Sequence, residues 1–388
     1  MKEYQVVLGA GFGDEGKGRV VSYLTSLYHD PLIVRFSGGH QAGHTVSYEG
    51  KRHVFSHFGS GTLQGAKTYW SKYCTVYPVG LMNEWKALNK LGVTPEIHID
   101  DFCPVTTPYD IYENRNREFA NNHGSCGLGF GTTIERHDTY KLYFQDLFID
   151  KIFKAKLNNI VNHYYKEKKD SPLFNFNLDL RMLNFLESVN ELRKVYKKVD
   201  FKREFWSTAN IIFEGSQGIL LDKDLGFFPN VTRANTDLTN VYKILKEVRG
   251  LENPRLQVNF VSRVYQTRHG NGYMSNENTL DLINNEDETN TKNSYQGSFR
   301  TGYLDLDLLK YSIDNVRVNA GYNRLCFTCL DQIKGDTVKV IHHDEEIEVP
   351  KEGIGELLGY KNSLYFYGAS VEDTPIEGEK VIIKVGKL

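Results

Sequence analysis

The sequence has few cysteines and no arrangement of them that suits a disulfide framework. Its 388 residues contain five cysteines, Cys74, Cys103, Cys126, Cys326 and Cys329. An odd, scattered set of this kind argues against structural disulfides. Cys326 and Cys329 form a lone CxxC pair, and a zinc site needs further ligands at suitable spacing. We therefore interpret this pair as small residues of a buried strand.

The sequence also lacks a long apolar run and an excess of charge of either sign. No apolar stretch approaches the roughly 20 residues that span a bilayer. The N-terminus, MKEYQVVLGAG, becomes polar too soon for a signal peptide. The formal net charge is -2, so the total charge indicates neither a nucleic-acid nor a membrane partner. We expect a cytoplasmic protein whose partners are small molecules.

Short apolar strands alternate with helices along the chain. YQVVL at residues 4–8, LIVRF at 32–36 and IIF at 211–213 each lead into a glycine-rich turn, and apolar residues at helical spacing run from 16 to about 28. This alternation predicts an α/β protein with a large, mostly parallel central sheet flanked by helices, as in P-loop nucleoside triphosphatases. Because no repeat or linker is visible, we predict one domain over residues 1–388.

Two segments interrupt that pattern. Residues from about 140 to 205 are rich in lysine and in helix signals, which predicts a solvated helical insertion. Residues from about 266 to 302 are polar and include NNEDETNTKN, which predicts a mobile loop. After this loop we predict a helix over 304–313 and a strand over 325–330.

The first candidate site is GFGDEGKG at residues 11–18, between the first strand and the first helix. Gly11, Gly16 and Lys17 match G-x-x-x-x-G-K, in which backbone N–H groups, the helix N-terminus and a lysine charge face phosphate oxygens. The Ser or Thr that usually follows the lysine and binds Mg²⁺ is replaced by Gly18. Asp14 offers a carboxylate instead, to the metal or as a base. The alternative is a tight glycine turn with a solvated acidic pair.

Later motifs also place polar residues after predicted strands. SGGHQAGHT at 37–45 carries His40 and His44 among glycines, which suits acid/base work or phosphate contact, although His40 could equally make a structural hydrogen bond. FEGSQGILLD at 213–222 carries Gln217, an amide suited to a nucleobase oxygen. TCLD ends in Asp331, which suits the two N–H groups of a guanine edge or a simple turn cap.

In order and spacing, these motifs resemble the adenylosuccinate synthetase family. That family carries GDEGKG, GGHNAGHT, FEGAQGTLLD, YPYVTSSNT, TRVGAGPFPTE, RRRRTGWLD and KLD segments in succession. Matching stretches here are residues 11–18, 38–45, 213–222, 228–236, 267–272, 300–305 and 330–331. The resemblance therefore runs from the N-terminus to about residue 331.

The resemblance implies a nucleoside triphosphate-dependent C–N ligase of purine nucleotide biosynthesis. In that reaction a base removes the N1 proton of IMP, and the 6-oxygen attacks the γ-phosphate of GTP. The amino group of L-aspartate then displaces the phosphate and gives adenylosuccinate. The resemblance also implies a Mg²⁺ cofactor and a homodimer in which an arginine reaches across the interface.

Residue roles follow from the same resemblance. Asp14 would be the base, His44 the acid, Lys17 the neutralising charge and Gln217 the partner of the 6-oxygen. Asp14 and the carbonyl of Gly43 would hold Mg²⁺. Residues expected to contact nucleotide or phosphate are Gly13, Glu15, Gly16, Gly18, Gln41, Gly43, Thr45, Ser125, Cys126, Thr232 and Asp331. Thr232 would contact the 5′-phosphate of the acceptor, and Asp331 would bind guanine.

The chain departs from the family mainly on the acceptor side. The phosphate-binding Thr-Thr-Gly appears as Ser125, Cys126 and Gly127, and Gln41 replaces an asparagine. Cys329 replaces the lysine of KLD. The cross-dimer arginine has no clear match; the nearest candidate is Arg136.

The four-arginine run of the family is reduced to one residue. Only Arg300 remains there, so we expect Arg300 and Arg268 to bind the aspartate carboxylates. Loss of a ribose-contacting arginine would also suit a deoxynucleotide, as in the phage branch that joins aspartate to dGMP with GTP or ATP. Against this alternative, that branch tends to replace the base Asp with a small hydroxyl residue. A nucleotide-binding regulator without ligase activity and a plain P-loop kinase or GTPase are the other hypotheses.

Overall fold

The structure is a computed structural model that describes residues 3–121, 124–167, 177–198, 210–283 and 297–377. The helices in these ranges are α1 Lys17–Ser26, α2 Pro78–Lys90, α3 Pro108–Asn121, α4 Phe130–Thr139, α5 Asp150–Glu167, α6 Asn177–Val195, α7 Thr239–Arg249, α8 Leu306–Asp314 and α9 Ile354–Leu357. The strands are β1 Glu3–Gly9, β2 Leu32–Arg35, β3 His44–Tyr48, β4 Lys51–Phe55, β5 Lys67–Trp70, β6 Ile97–Ile99, β7 Ile211–Glu214, β8 Arg255–Arg263, β9 Tyr265–His269, β10 Phe299–Asp305, β11 Gly321–Thr328, β12 Thr337–His342, β13 Glu345–Pro350, β14 Leu364–Tyr365 and β15 Ile376–Glu377.

A nine-stranded sheet forms the centre of the protein, in the order β15-β14-β11-β8-β1-β7-β2-β5-β6. All neighbouring pairs are parallel except β14 and β15. The inner strands are largely buried because both faces of such a sheet are covered. In β2 and β7, for example, every residue is buried. The prediction of a large, mostly parallel sheet flanked by helices is confirmed.

Two smaller sheets accompany the central one. The first is the antiparallel β3–β4 hairpin. A four-stranded sheet, in the order β13-β12-β10-β9, lies beside α8. β9 and β10 are antiparallel and pair Arg268 with Arg300, so the segment from about 266 to 302 is wrongly predicted as one continuous loop. Its middle, residues 284–296, lies outside the described residues.

The helical insertion and the later elements follow the expected order. α5 and α6 fall between residues 140 and 205, and their apolar faces, including Phe153, Phe185 and Leu192, join a second hydrophobic core with α2. α8 begins two residues later than predicted because Leu304 and Asp305 end β10. Asp305 caps the helix by accepting a hydrogen bond from the Leu308 N–H, at 2.9 Å.

The remaining expectations concern membranes and thiols. In the described part of the chain, no helix has both the length and the apolarity that a bilayer crossing requires. All five cysteines are free. Cys326 is buried in β11, as predicted, but Cys329 lies beyond that strand in the left-handed backbone region, with φ 61°. The strand interpretation therefore holds for Cys326 alone.

Candidate active site

Several of the predicted site residues lie at the carboxyl edge of the central sheet. β1 lies between β7 and β8, and all three strands are parallel. The glycine-rich loop follows β1, the Gly215–Gly218 turn follows β7, and Arg263 ends β8. Ligands of open α/β sheets bind outside the carboxyl ends of the strands. The strand order therefore gathers motifs that lie far apart in the sequence.

Neighbouring strands hold the glycine-rich loop in its shape. Gly13, Asp14 and Gly16 all have positive φ, at 92°, 60° and 85°. For Asp14 this backbone conformation is unfavourable and needs support from outside the loop. Arg263 supplies it by donating from Nε to the Asp14 carbonyl at 2.7 Å. On the other side, the Thr328 hydroxyl donates to the Glu15 carbonyl at 2.6 Å.

Glu15 binds the donors of its own loop. Its Oε1 accepts the N–H groups of Gly11 and Gly13, at 3.1 and 2.8 Å. Its Oε2 accepts from Lys17 Nζ at 2.5 Å, and both side chains are buried. These are donors that a phosphate would need. Glu15, expected from the sequence to contact phosphate, therefore occupies part of that position with its own carboxylate.

The Asp14 carboxylate lies against His269. The distance from His269 Nδ1 to Asp14 Oδ2 is 3.2 Å, and about a third of the Asp14 side chain, 34%, is exposed. Burial raises the pKa of this carboxyl, but the hydrogen bond from His269 and the charges of Arg263 and Lys17 outweigh it. The net effect is a pKa below the ordinary value. Asp14 is therefore ionised at neutral pH, as either a base or a metal ligand must be.

His44 belongs to a buried cluster that the motifs did not reveal. Its Nδ1 lies 2.5 Å from Oε1 of Glu214, the last residue of β7. Glu214 also accepts the N–H of Ser60 at 3.0 Å and its hydroxyl at 2.5 Å, and Arg35 is 3.9 Å away. The sequence contained Glu214 in the FEG motif, but nothing local showed that it would meet His44.

The charges of this cluster are tightly coupled. Burial opposes ionisation of Glu214, yet Arg35 and the hydrogen bonds from His44 and Ser60 lower the pKa of its carboxyl to about 2. Burial also lowers the pKa of His44, although the Glu214 carboxylate partly opposes the effect. Because ionised Glu214 only accepts hydrogen bonds, it places a proton on His44 Nδ1. The other ring nitrogen, Nε2, is left for chemistry.

Gly18 is explained by its contact with this cluster. A Cβ at position 18 would lie 2.9 Å from the Cβ of His44 and 3.2 Å from the Ser60 hydroxyl. The first turn of α1 therefore packs directly on His44, and the side chain of a Ser or Thr would have no room. Gly18, which replaces the usual Ser or Thr of this loop, therefore lets His44 lie close to the first turn of α1, which begins at Lys17.

Two amide side chains have unmet hydrogen-bonding capacity beside the loop. Gln217 has a positive φ of 56°, and Gly218 packs against the carbonyl of Gly11. Within the described residues, Oε1 of Gln217 and both amide atoms of Gln41 are buried without a hydrogen-bond partner. Buried polar groups of this kind are normally satisfied, so they indicate room for a polar ligand.

His40 is packed rather than hydrogen bonded. Its ring lies between the rings of Tyr77 and His57, with centroid distances of 4.9 and 5.8 Å. Neither ring nitrogen has a hydrogen-bond partner among the described residues. Burial and the neighbouring His57 lower the pKa of His40 to about 3. The structure therefore does not support a structural hydrogen bond for His40.

The segments expected to hold acceptor phosphate make contacts of their own in this structure. Thr232 is buried and donates its N–H to the Leu221 carbonyl at 2.8 Å, which joins it to the turn after β7. The Ser125 hydroxyl accepts from Asn114 at 2.8 Å. Burial raises the pKa of the Cys126 thiol to about 11, so the thiol is neutral at physiological pH.

The two arginines expected to bind aspartate differ in their contacts. Arg268 is buried and donates to the carbonyls of Asn271, Tyr273 and Asn230, at 3.1, 2.7 and 2.9 Å. Arg300 donates to two loop carbonyls at 2.9 Å and forms an ion pair with Glu277, which is about half exposed. In this conformation Arg268 shapes the loop, while Arg300 already holds an exchangeable carboxylate.

Asp331 and Arg136 complete the set of predicted residues. Asp331 lies in the single turn that follows β11 and accepts from the side-chain amide of Gln332 at 2.8 Å. Burial raises the pKa of its carboxyl. Arg136, the nearest candidate for the cross-dimer arginine, is instead buried against Asp110 at 2.9 Å and donates to the carbonyls of Val105 and Tyr140.

A glycine-rich loop before a helix, an ionised carboxylate and a histidine paired with Glu214 lie at one sheet edge, as expected of a nucleotide-dependent enzyme of the α/β class. The comparisons with known proteins specify which one. Residues 6–350 match the adenylosuccinate synthetase family, and the chain belongs to that family. It is a C–N ligase that joins aspartate to a purine nucleotide.

Individual relatives agree with this assignment. Adenylosuccinate synthetase of Picrophilus torridus is 32% identical, covering 87% of this chain and 80% of the relative. The Pseudomonas fluorescens enzyme is 29% identical, covering 97% and 84%. Two solved structures share the fold at 17% identity. The fully ligated Plasmodium falciparum adenylosuccinate synthetase has a TM-score of 0.75, covering 97% of this chain and 100% of that one. Cyanophage S-2L succinoaminodeoxyadenylate synthetase, bound to dGMP and dATP, has a TM-score of 0.62, covering 97% and 96%.

Proposed function

We propose that this ligase uses GTP and L-aspartate to convert IMP to adenylosuccinate through a 6-phosphoryl intermediate. The observation that best supports this proposal is the buried pair of His44 and Glu214, in which His44 packs on Gly18, the residue after Lys17. A protein that only binds nucleotides needs no oriented histidine, so this pair favours catalysis over a regulatory role. The presence of Asp14 supports IMP over dGMP, because the phage branch that acts on dGMP tends to replace this residue with a small hydroxyl residue.

Asp14 and Gln217 would act on the purine. Asp14 is ionised, a third exposed, and adjacent to Gly13, whose added Cβ would lie 3.9 Å from the Gln217 Cα. In the proposed first step, Asp14 removes the N1 proton, and the Gln217 amide binds the 6-oxygen as it gains charge. The Nε2 group would be the donor to the 6-oxygen, and the buried Oε1, which has no partner among the described residues, would be left to accept from a donor of the ligand.

Lys17 and His44 would act on the phosphoryl group. Withdrawal of the Glu15 carboxylate would free the Lys17 ammonium for the phosphate oxygens. The added negative charge would raise the pKa of His44, and Glu214 would stabilise the resulting imidazolium. His44 would then donate a proton from Nε2 to the leaving diphosphate, while Lys17 neutralises the transferred group.

The donor set near the loop fits Mg²⁺. Mg²⁺ prefers oxygen ligands, and the Asp14 carboxylate and the carbonyl of the exposed Gly43 are of that kind. Bound there, the ion would neutralise charge on the triphosphate. Asp14 would keep its free carboxylate oxygen for the purine.

Arg300 would bind the carboxylates of L-aspartate in exchange for Glu277. The existing ion pair supports this role, since the guanidinium already holds a carboxylate at the edge of the site. Glu277→Ala should therefore lower the KM for aspartate, whereas Arg300→Ala should raise it at least tenfold, as expected for loss of a charged hydrogen bond. Arg268 would support Arg300 through the paired strand. Thr232, Ser125 and Gln41 would contact the acceptor nucleotide.

Asp331 would select GTP over ATP. A carboxylate accepts both N–H groups of a guanine edge, and adenine offers no matching pair of donors. Asp331→Ala should raise the KM for GTP at least tenfold and leave that for ATP nearly unchanged. Equal effects on both triphosphates would contradict this role.

One assay tests the acceptor. The protein is mixed with Mg²⁺, L-aspartate, GTP or ATP, and either IMP or dGMP, and both succinyl-purine absorbance and phosphate release are followed. Adduct with IMP supports the proposal. Adduct with dGMP alone would overturn the choice of acceptor, and the reduced arginine run is the feature that would explain it. Phosphate release without adduct would favour a protein that has lost ligation.

We also propose that the chain works as a homodimer. Arg136 is held within its own subunit by buried Asp110, so it is not the residue that would reach across the interface. Sedimentation equilibrium of the full chain tests the assembly, with a dimer expected and a monomer refuting it.

A further inference from the structure

We propose that Asp307, His342 and His343 form a second metal site, which binds a borderline-soft divalent cation such as Zn²⁺. The three side chains each offer one ligand atom, and these atoms all lie within 4.8 Å of one another. Asp307 lies in the first turn of α8, and the two histidines lie where β12 turns into β13. Nothing in the ligase reaction uses these residues.

The distances fit an ion better than direct hydrogen bonds. Asp307 Oδ1 is 3.5 Å from His342 Nδ1 and 3.7 Å from His343 Nδ1. Hydrogen bonds of this type are about 2.7 to 3.2 Å long. A tetrahedral zinc site with bonds of about 2.0 to 2.1 Å places its ligand atoms about 3.3 to 3.4 Å apart. The spacing therefore leaves room for an ion between the carboxylate and each ring.

The other carboxylate oxygen is already positioned. Asp307 Oδ2 accepts the backbone N–H of His343 at 2.6 Å and that of Asp344 at 3.4 Å. His343 and Asp344 both have positive φ, at 53° and 59°, as two-residue hairpin turns require. The turn thus fixes the carboxylate and directs Oδ1 toward the histidines, which is the task of outer-sphere hydrogen bonds in metal sites.

The exposure of the three groups fits an accessible site. The side chain of His342 is 22% exposed, and its Nδ1 is buried without a hydrogen-bond partner among the described residues. His343 is 82% exposed and can rotate to complete the geometry. With three protein ligands, water would take the fourth position.

The ligand types determine the metal class. Two imidazoles and one carboxylate favour Zn²⁺, Co²⁺ or Ni²⁺, whereas Mg²⁺ prefers oxygen ligands alone. This site is therefore chemically distinct from the one proposed at Asp14. A bound ion would join the β12–β13 turn to the start of α8, next to β10, which pairs with β12 in parallel.

The test is zinc binding by the full chain. Protein stripped with a chelator is titrated with Zn²⁺ by calorimetry, without nucleotide, in the wild type and in His343→Ala and Asp307→Asn. Asp307→Asn keeps an acceptor for the turn N–H groups but removes the charge. The matched control is His29→Ala, which removes an exposed histidine elsewhere. Because other groups can bind zinc, the decisive quantity is the difference between variants.

We expect the wild type and His29→Ala to bind one more Zn²⁺ than the other two variants, or to bind it at least tenfold more tightly, which is the lower range for disrupted metal sites. Zn²⁺ should also raise the Tm of the wild type more than that of His343→Ala. Excess Mg²⁺ should not displace the ion. The same zinc stoichiometry and affinity in all four proteins, or displacement by Mg²⁺, would overturn the proposal.

Discussion

Replacing Glu214 with Gln should reduce both the turnover and the stability of this enzyme. Gln keeps one acceptor for His44 and Ser60 but removes the charge that faces fully buried Arg35. The lowering of the Glu214 pKa from 4.5 to about 2 corresponds to about 3 kcal/mol of unfolding free energy at neutral pH. Loss of the oriented general acid should slow turnover by about 10²- to 10⁴-fold.

The pH dependence separates this explanation from a packing defect. A carboxylate with a depressed folded-state pKa stabilises the protein above its unfolded pKa, and this contribution disappears as pH falls toward the folded value. Urea unfolding should therefore show a constant difference between wild type and Glu214→Gln from pH 7 to 5, which shrinks below about 4.5. A difference that does not shrink when the pH falls below about 4.5 would refute the electrostatic argument.

Glu84 supplies a matched control. It is also buried, and its contacts with His57 at 3.2 Å and His53 at 3.6 Å outweigh its burial and lower the pKa of its carboxyl to about 2. It accepts the backbone N–H groups of Ser56 and His57 at 3.0 and 2.7 Å, away from the proposed reaction. Glu84→Gln should lose stability with a similar pH dependence yet retain turnover. Equal losses of turnover in both variants would refute a specific role for Glu214.

The same electrostatics give three further predictions. Asp14→Ala and His44→Ala should each abolish adduct formation while calorimetric triphosphate binding persists, and a near-normal rate in either would contradict its role. His269→Val should raise the pKa of Asp14, because it removes a hydrogen bond that lowers it. The acid limb of the pH–rate profile should then move to higher pH. An acid limb at the wild-type pH would refute the effect of His269 on Asp14. His40 has a pKa of about 3, so below pH 6.5 the unfolded state gains a proton first and stability falls with decreasing pH. His40→Phe should reduce this dependence of the unfolding free energy on pH by up to about 1.4 kcal/mol per pH unit. Urea unfolding between pH 6.5 and 5 measures it. An unchanged dependence would contradict the low pKa of His40.

The parts of the fold that the sequence predicted well carry local signals. The strand before residue 10, the glycine loop and the helix after Gly16 each follow from hydrophobic spacing and glycine positions, and β1 and α1 confirm them. The loop predicted at 266–302 failed at its ends because β9 and β10 are polar and gain their order from pairing with each other. Strand pairing of that kind leaves little trace in either segment alone.

The missing parts of the candidate site depend on contacts between distant residues. His44 and Glu214 are 170 positions apart, and Asp14 and His269 are 255 apart. No spacing rule connects such pairs, because the sheet order that brings them together is a property of the whole chain. One signal was available for His269, since the corresponding family segment reads TRV where this chain has TRH. A titratable residue in place of an apolar one, beside a motif, indicates that the side chain has a polar partner in the fold.

Gly18 has a meaning in the structure that its place in the sequence does not show. From the sequence alone, glycine after Lys17 meant only that a usual Mg²⁺ ligand was missing. In the structure, the absence of a side chain lets α1 pack on His44 and Ser60, and the charge of Lys17 acts on the histidine. Glycine at position 18 thus removes the hydroxyl that usually binds Mg²⁺ and leaves the space that His44 occupies. It follows that enlarging Gly18 would displace His44 rather than restore a metal ligand, because the space a hydroxyl would need is already filled.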